Sequence, residues 1–190
     1  MSRKSYREFV TQLSDSIDFL MQKESCMPSL ILIYSGIDTM AWLNRDKTHE
    51  DNDRTDFKNW VDNYLLPDSG LNCSAIDLYA ARCAILHSYT AQSLLSRAGK
   101  ARKIYYVWGS TAGDELQKYI DLSYESGKTI ALSINMLNEA FKTGVKRFTR
   151  ALNKNSSLSK LVSKRSDKFL VSIPSETIDN QFQTGIKSSK

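Results

Sequence analysis

Residues 29–44 read SLILIYSGIDTMAWLN, and this stretch decides the fold class. Its apolar side chains fall on nearly every side of a helix, and its one charged residue is Asp38. A helix that is apolar all round lies at the centre of a protein or against another subunit. Pro28 suits the first turn of a helix, so we predict a helix from about Pro28 to Asn44. A buried helix of this kind indicates a mainly α-helical protein.

Helical periodicity recurs on both sides of this stretch. Residues 3–24 and 128–153 carry apolar residues at steps of three and four, which predicts two long amphipathic helices. Shorter helices are predicted over residues 55–66, 75–89 and 114–126. We therefore expect a mainly α fold, a bundle of about five to six helices.

Two short segments have the composition of β-strands. Residues 103–108 read KIYYVW, and residues 169–173 read FLVSI, both rich in β-branched and aromatic residues. We predict that the two segments pair as a minor two-stranded β element. Residues 1–175 are expected to form one helical domain, and residues 176–190 a polar flexible tail.

The composition bounds the cellular setting. No apolar run approaches the roughly 20 residues of a membrane span. The N-terminal residues carry acids and lack the apolar region of a secretory signal. Cys26, Cys73 and Cys83 are an odd number without metal-ligand spacing, which favours free thiols. We expect a cytoplasmic protein that does not bind membranes.

Positive charge is concentrated near the C-terminal end. The net charge is +5, and residues 142–168 hold nine Lys or Arg residues against Asp167 alone. Such a block is either a solvated face or an electrostatic footprint for phosphates. Lys146, Arg147 and Arg150 are the candidates for nucleic-acid contacts in this block.

A second group of cations interleaves with aromatic residues. Its members are Arg97, Lys100, Arg102 and Lys103, followed by Tyr105, Tyr106 and Trp108. This pattern suits single-stranded RNA, which is bound by phosphate contacts and base stacking. Alternatively, a short strand buries the aromatic rings in the core.

The predicted helix 75–89 carries the residues that most directly indicate a chemical function, Arg82, His87 and Tyr89. At about 100° per residue, Arg82 and Tyr89 lie nearly on one face, and His87 points roughly 140° away from Arg82. We therefore expect Arg82 and His87 to converge only if the helix unwinds near His87 or if a second copy faces the first.

These side chains suit cleavage of a phosphodiester in RNA. An imidazole can take a proton from a 2′-hydroxyl or donate one to the leaving oxygen. A guanidinium can bind two phosphate oxygens, and Tyr89 could stack on a base. Neither a metal ion nor another cofactor is required, so we expect none. Alternatively, His87 is a hydrogen-bonded core residue and Arg82 pairs with Asp77 or Asp38.

Over residues 82–89, the pattern Arg-x4-His-x-Tyr on an inner helix resembles the HEPN superfamily (higher eukaryotes and prokaryotes nucleotide-binding domain). The resemblance implies a bundle of four or five helices that dimerises so that two motifs form one cleft. Many such proteins are metal-independent endoribonucleases of toxin–antitoxin, phage-defence or CRISPR systems, and others are non-catalytic binding domains. Active members usually carry Asn, Asp or His directly after the arginine, where this chain has Cys83.

The resemblance implies roles for individual residues. Arg82 and His87 would be the catalytic pair. Asp38 and Asp77 are candidate auxiliary residues for a separate reason, because either could pair with the arginine. Tyr89 would be an auxiliary residue, and in some toxin members a partner nucleotidyltransferase adenylylates that tyrosine. We expect an RNA-binding homodimer, with an antitoxin or nucleotidyltransferase as a further partner. The alternative is a non-catalytic helical interaction module that uses the same helix as a protein interface.

The loop around His49 is rich in acidic residues, which are candidate ligands for a cation. Carboxylate oxygens are ligands that divalent cations accept, but acidic loops of this kind are usually solvated. We therefore expect no metal site there.

Overall fold

A computed structural model describes residues 3–45, 53–108 and 112–169. Within these ranges the chain forms eight α-helices, one π-helix and a two-stranded sheet. The order along the chain is α1 (Arg3–Gln22), α2 (Cys26–Asn44), α3 (Arg54–Trp60), the π-helix (Val61–Leu65), α4 (Ala75–Ser88), α5 (Leu94–Arg97), β1 (Lys103–Val107), α6 (Ala112–Asp121), β2 (Thr129–Ser133), α7 (Ile134–Lys154) and α8 (Ser156–Ser166). The predicted mainly α fold is confirmed, and α5 and α8 add two helices to those predicted.

Helix α2 is the centre of the core. Helices α1, α3, α4, α7 and α8 all pack against it. Its buried residues are Ser29, Leu30, Ile33, Tyr34, Gly36, Ile37, Met40, Ala41 and Leu43. By length and composition α2 could cross a membrane, and 50% of that stretch is buried inside the fold. The prediction of a buried central helix is confirmed.

Helix α7 approaches α2 closely at Gly36. A Cβ atom on Gly36 would lie 2.6 Å from Cζ of Phe141 and 2.8 Å from Cδ2 of Leu13. Both distances are shorter than real Cβ contacts, so a glycine is required for this packing. The apolar stripe of α7 can therefore reach the surface of α2, where Phe141 is fully enclosed.

Arg165 of α8 closes the C-terminal end of α2. Its guanidinium Nη1 donates to the carbonyl oxygen of Leu43 at 2.8 Å and to that of Arg45 at 2.7 Å. The last carbonyls of a helix have no partner within the helix, and a cation there also interacts favourably with the helix dipole. Arg165 is buried, so this member of the C-terminal basic block has a structural role.

The β element differs from the prediction in its partner strand. β1 pairs in parallel with β2, with Lys103 opposite Thr129 and Val107 opposite Ser133. α6 provides the crossover that a parallel pair requires. The partner predicted for β1 was residues 169–173, and this is wrong for Phe169, which packs against the rings of Phe9 and Trp42.

Four further predictions concern the long helix, the C-terminal tail, the cysteines and the cellular location. The long helix predicted from residue 128 begins at Ile134, because residues 129–133 form β2. The predicted tail 176–190 and residues 170–173 lie outside the described residues. Cys26, Cys73 and Cys83 are free thiols, as predicted. The cytoplasmic location remains a prediction.

We expect the substitution Gly36→Ala to lower the free energy of unfolding by about 1–3 kcal/mol, because the added methyl group overpacks the contact between α2 and α7. Urea unfolding followed by circular dichroism measures the change. Gly113→Ala in α6 is the matched control, since its Cβ meets nothing within 4 Å. Equal stabilities of the two variants would contradict the close approach.

Candidate functional site

Local interactions at both ends of α4 determine where its side chains project. At the start, the Ser74 side chain accepts a hydrogen bond from the Asp77 amide, and the Asp77 carboxylate accepts one from the Ser74 amide. This reciprocal pair is a capping box. At the end, Tyr89 is left-handed with φ 55°, and the Thr90 amide donates to the Ala84 carbonyl at 3.2 Å. These features form a Schellman-type ending and keep His87 within the last helical turn.

Arg82 and His87 meet within one chain. Nη1 of Arg82 lies 3.2 Å from Nε2 of His87, and α4 remains helical through Ser88. The expectation that convergence needs an unwound helix or a second copy is therefore wrong. Side chains on a helix tilt toward its N-terminus, so the imidazole leans back toward the long arginine side chain. His87 is exposed, which also excludes the core-histidine interpretation.

Asp38 of α2 holds the guanidinium in place. Nε and Nη2 of Arg82 both lie 2.7 Å from Oδ2 of Asp38. The side chains are 23% and 18% exposed, so the ion pair is largely removed from water. Of the two partners considered for Arg82, the structure selects Asp38.

Burial and the ion pair together shift the pKa of both partners. Burial raises the pKa of Asp38 above its ordinary value, although the hydrogen bonds and charge of Arg82 act in the opposite direction. Burial alone would lower the pKa of Arg82, but the hydrogen bond and charge of Asp38 raise it above its ordinary value. Arg82 is therefore a cation at neutral pH.

Two cavities flank the Arg82–His87 pair. The first has a volume of about 460 Å³, and the second about 450 Å³. Arg82 and Asp38 line the first cavity, His87 and Cys83 line the second, and Tyr79 lines both. The pair thus lies between two openings, each within the size range of small-molecule sites.

Tyr89 and Asp77 do not join the pair. The prediction that Tyr89 shares a helical face with Arg82 is wrong, because Tyr89 lies beyond the end of α4 and is 62% exposed. The left-handed backbone at Tyr89 redirects its side chain into solvent. The Asp77 carboxylate accepts from the Arg102 side chain at 2.7 Å and from the Arg102 amide at 2.7 Å. Asp77 therefore connects α4 to the start of β1.

Of the cations at residues 97–103, two are exposed and two form ion pairs within the fold. Arg97 and Lys100 are exposed. Arg102 binds Asp77, and Lys103 forms a 2.9 Å ion pair with Glu125 and is buried. Tyr106 and Trp108 pack against the core, so the alternative that the strand buries aromatic rings holds for these two.

The cations of α7 and α8 also include both exposed residues and residues bonded within the fold. Lys146 and Arg150 are exposed on α7. Arg147 instead donates to the Tyr64 carbonyl at 3.3 Å and pairs with Asp68 at 3.0 Å. Further exposed cations of this region are Lys154, Lys160, Lys164 and Lys168.

Some residues beside the pair were not predicted from the sequence. The Arg54 guanidinium lies 5.5 Å from the centre of the Tyr79 ring and lines the second cavity. Thr39 and Trp42 line the first cavity. No local sequence pattern distinguishes these residues, because they reach the site from separate elements.

The acidic loop around His49 lies outside the described residues. In the three described ranges, no group of three or more His, Cys, Asp or Glu side chains has the geometry to hold a metal ion.

No protein-family model, no curated protein and no solved structure matches this chain.

We expect Asp77→Asn to lower the free energy of unfolding at pH 7 by about 1–3 kcal/mol, because the Arg102 ion pair is lost. Burial raises the pKa of Asp77, but hydrogen bonds from Arg102 and Ser74 bring it below its ordinary value. A lowered carboxylate pKa stabilises the fold above the unfolded-state value, about 4, and that stability is lost as the pH falls through the lowered value.

The difference between wild type and Asp77→Asn should therefore shrink toward pH 3, as measured by urea unfolding at pH 7 and pH 3. Asp62→Asn, at an exposed carboxylate on the π-helix, is the control. A difference that does not depend on pH would contradict the role of the ionised carboxylate.

Proposed function

We propose that the protein is a HEPN-like RNA-binding protein and a metal-independent endoribonuclease. The observation that carries the proposal is the 3.2 Å approach of Arg82 Nη1 to His87 Nε2, between two cavities. A guanidinium and an imidazole at this distance can contact one phosphate group together. The resemblance of residues 82–89 to the HEPN motif supports the same assignment.

The reaction would be transesterification by the neighbouring 2′-hydroxyl. His87 takes the 2′-hydroxyl proton as the 2′-oxygen attacks phosphorus, and the bond to the 5′-oxygen breaks. The leaving oxygen gains a proton, from the imidazolium or from water, to give a 2′,3′-cyclic phosphate and a 5′-hydroxyl end. Arg82 stabilises the negative charge that builds on the phosphate oxygens. Asp38 is a positioning residue, since it holds the guanidinium toward His87.

The surroundings of the pair support an RNA substrate. Arg54 and Arg97 line the cavity beside His87, where they would meet a neighbouring phosphate. Exposed Lys100, Lys146 and Arg150 would contribute longer-range attraction for the RNA backbone. Arg102, Lys103 and Arg147 are engaged in ion pairs and are assigned to the fold instead.

The biological setting is proposed from the resemblance. It comprises a cytoplasmic homodimer, with two Arg82–His87 pairs facing one cleft, in a toxin–antitoxin or phage-defence system. An antitoxin or a nucleotidyltransferase would be the partner. Exposed Tyr89 is accessible to such an enzyme.

A second function is favoured by one observation. The Arg82–Asp38 ion pair links α2 to α4 and would stabilise a non-catalytic helical interaction module equally well. Cys83, which follows the arginine, departs from the residues usual in active HEPN proteins. Activity measurements on variants distinguish the two functions.

We expect the purified protein to cleave RNA in the presence of EDTA. His87→Ala should lower the rate by about 10²–10⁴-fold through loss of proton transfer. Arg82→Ala should lower it by about 10²–10³-fold through loss of charge stabilisation. Product ends are identified by gel electrophoresis and mass spectrometry.

Tyr119→Ala is the control, because Tyr119 is an exposed residue of α6 that lines neither cavity. Arg82→Lys keeps a cation beside Asp38 and serves where Arg82→Ala fails to fold, as judged by circular dichroism. Cleavage that requires added metal, or that survives in folded His87→Ala, would refute the proposed mechanism.

We expect RNA binding by Lys146→Ala/Arg150→Ala to depend less on salt. Each lost phosphate contact should reduce the slope of log K against log salt by about 0.7, so the double variant should lose about 1.4. Fluorescence anisotropy with a labelled single-stranded RNA measures the slope. Lys118→Ala/Lys128→Ala removes two other exposed cations and is expected to leave the slope unchanged. Equal slopes for the two double variants would place the RNA elsewhere.

A further inference from the structure

The cavity on the Arg82 side contains more polar groups than the proposed chemistry uses. Asp53, Thr39 and Lys168 line it together with the aromatic rings of Trp42 and Tyr79. We propose that this cavity binds the base of the nucleotide beside the scissile phosphate, and that it selects guanine. The proposal rests on the proposed function, because it specifies which base of the RNA the same site binds.

The aromatic walls of the cavity are fixed by their neighbours. The Arg45 guanidinium lies 4.8 Å from the centre of the Trp42 ring, and the Phe169 ring lies 6.2 Å from it. Tyr79 packs edge-on against Phe57 at 5.4 Å. Bases unstacked from RNA pack against aromatic side chains, since every base has a π-face. A volume of about 460 Å³ accommodates a purine with room for solvent.

Asp53 presents a fixed hydrogen-bond acceptor. Its Oδ1 accepts from the Asp56 amide at 2.9 Å, and its own amide donates to Asp56 Oδ2 at 3.2 Å. This capping box at the start of α3 holds the Asp53 carboxylate at the cavity wall. An ionised carboxylate only accepts hydrogen bonds.

Thr39 adds a second acceptor. Its hydroxyl donates to the Ser35 carbonyl at 2.9 Å, so its oxygen can only accept from a ligand. A wall of acceptors favours a base edge that carries donors and disfavours one that carries acceptors.

Guanine is the base that fits these groups best. Its Watson–Crick edge carries two adjacent donors, N1–H and N2–H₂, which one carboxylate can accept together. Its O6 and N7 are acceptors that a lysine can contact, and Lys168 lines the same cavity. Adenine, cytosine and uracil each place an acceptor beside their Watson–Crick donor, which a carboxylate would repel.

The test measures binding of the four nucleoside 3′-monophosphates to the 190-residue chain by isothermal titration calorimetry. We expect guanosine 3′-monophosphate to bind about tenfold or more tightly than the other three. Asp53→Asn should lose that preference by about tenfold, and α3 should remain intact because Asn caps a helix as well as Asp does. Asp62→Asn, which removes a carboxylate that does not line the cavity, should retain it.

Equal binding of the four nucleotides, no binding, or an unchanged preference in Asp53→Asn would each overturn the proposal. Binding does not require cleavage, so this outcome is separate from the nuclease assay. A guanosine preference that depends on Asp53, in a protein that does not cleave RNA, would retain the base pocket and reject the nuclease. Cleavage that depends on Arg82 and His87 without any base preference would do the reverse.

Discussion

The ion pair between Asp38 and Arg82 is the constraint on which the candidate site depends. α2 is apolar on nearly all sides and therefore occupies the centre of the fold. A carboxylate on such a helix is costly unless a cation and hydrogen bonds compensate it. Arg82 supplies both from α4, and in that position its remaining guanidinium nitrogen lies beside His87. One side chain thus satisfies a requirement of the core and forms half of the candidate site.

The remaining cations are likewise either bonded within the fold or exposed to solvent. Cations that lie close to an acid or to the end of a helix are used by the fold, as Arg102 and Arg165 are. Cations that remain exposed are available for a ligand, as Arg97 and Lys146 are. The surface proposed for RNA is therefore narrower than the basic block of the sequence. It includes the cavity beside His87, which the block does not contain.

Particular elements show how far prediction from the sequence could go. α1 was predicted nearly to its ends from its apolar spacing. α2 and α4 were predicted from their apolar composition and from Pro28 and Ser74 near their starts, which are also local signals. β2 was read as the first turn of α7, since Ile130 and Ile134 are four residues apart and continue the helical stripe. α8 was not predicted, because its sequence SSLSKLVSKRS has few apolar residues to reveal a period.

The sequence by itself determined the mainly α fold, the central position of α2 and the candidate pair on α4. These features depend on residues three to five positions apart, whose relation any helix preserves. Only the tertiary structure decided that Asp38 rather than Asp77 pairs with Arg82, that β1 pairs with β2, and which cations face solvent. Ion pairs, strand partners and cavities join residues that are distant along the chain, and their proximity is set by packing of whole elements. The convergence of Arg82 with His87 depends on both sequence and tertiary structure, because α4 brings the two residues close and Asp38 of α2 directs the arginine side chain.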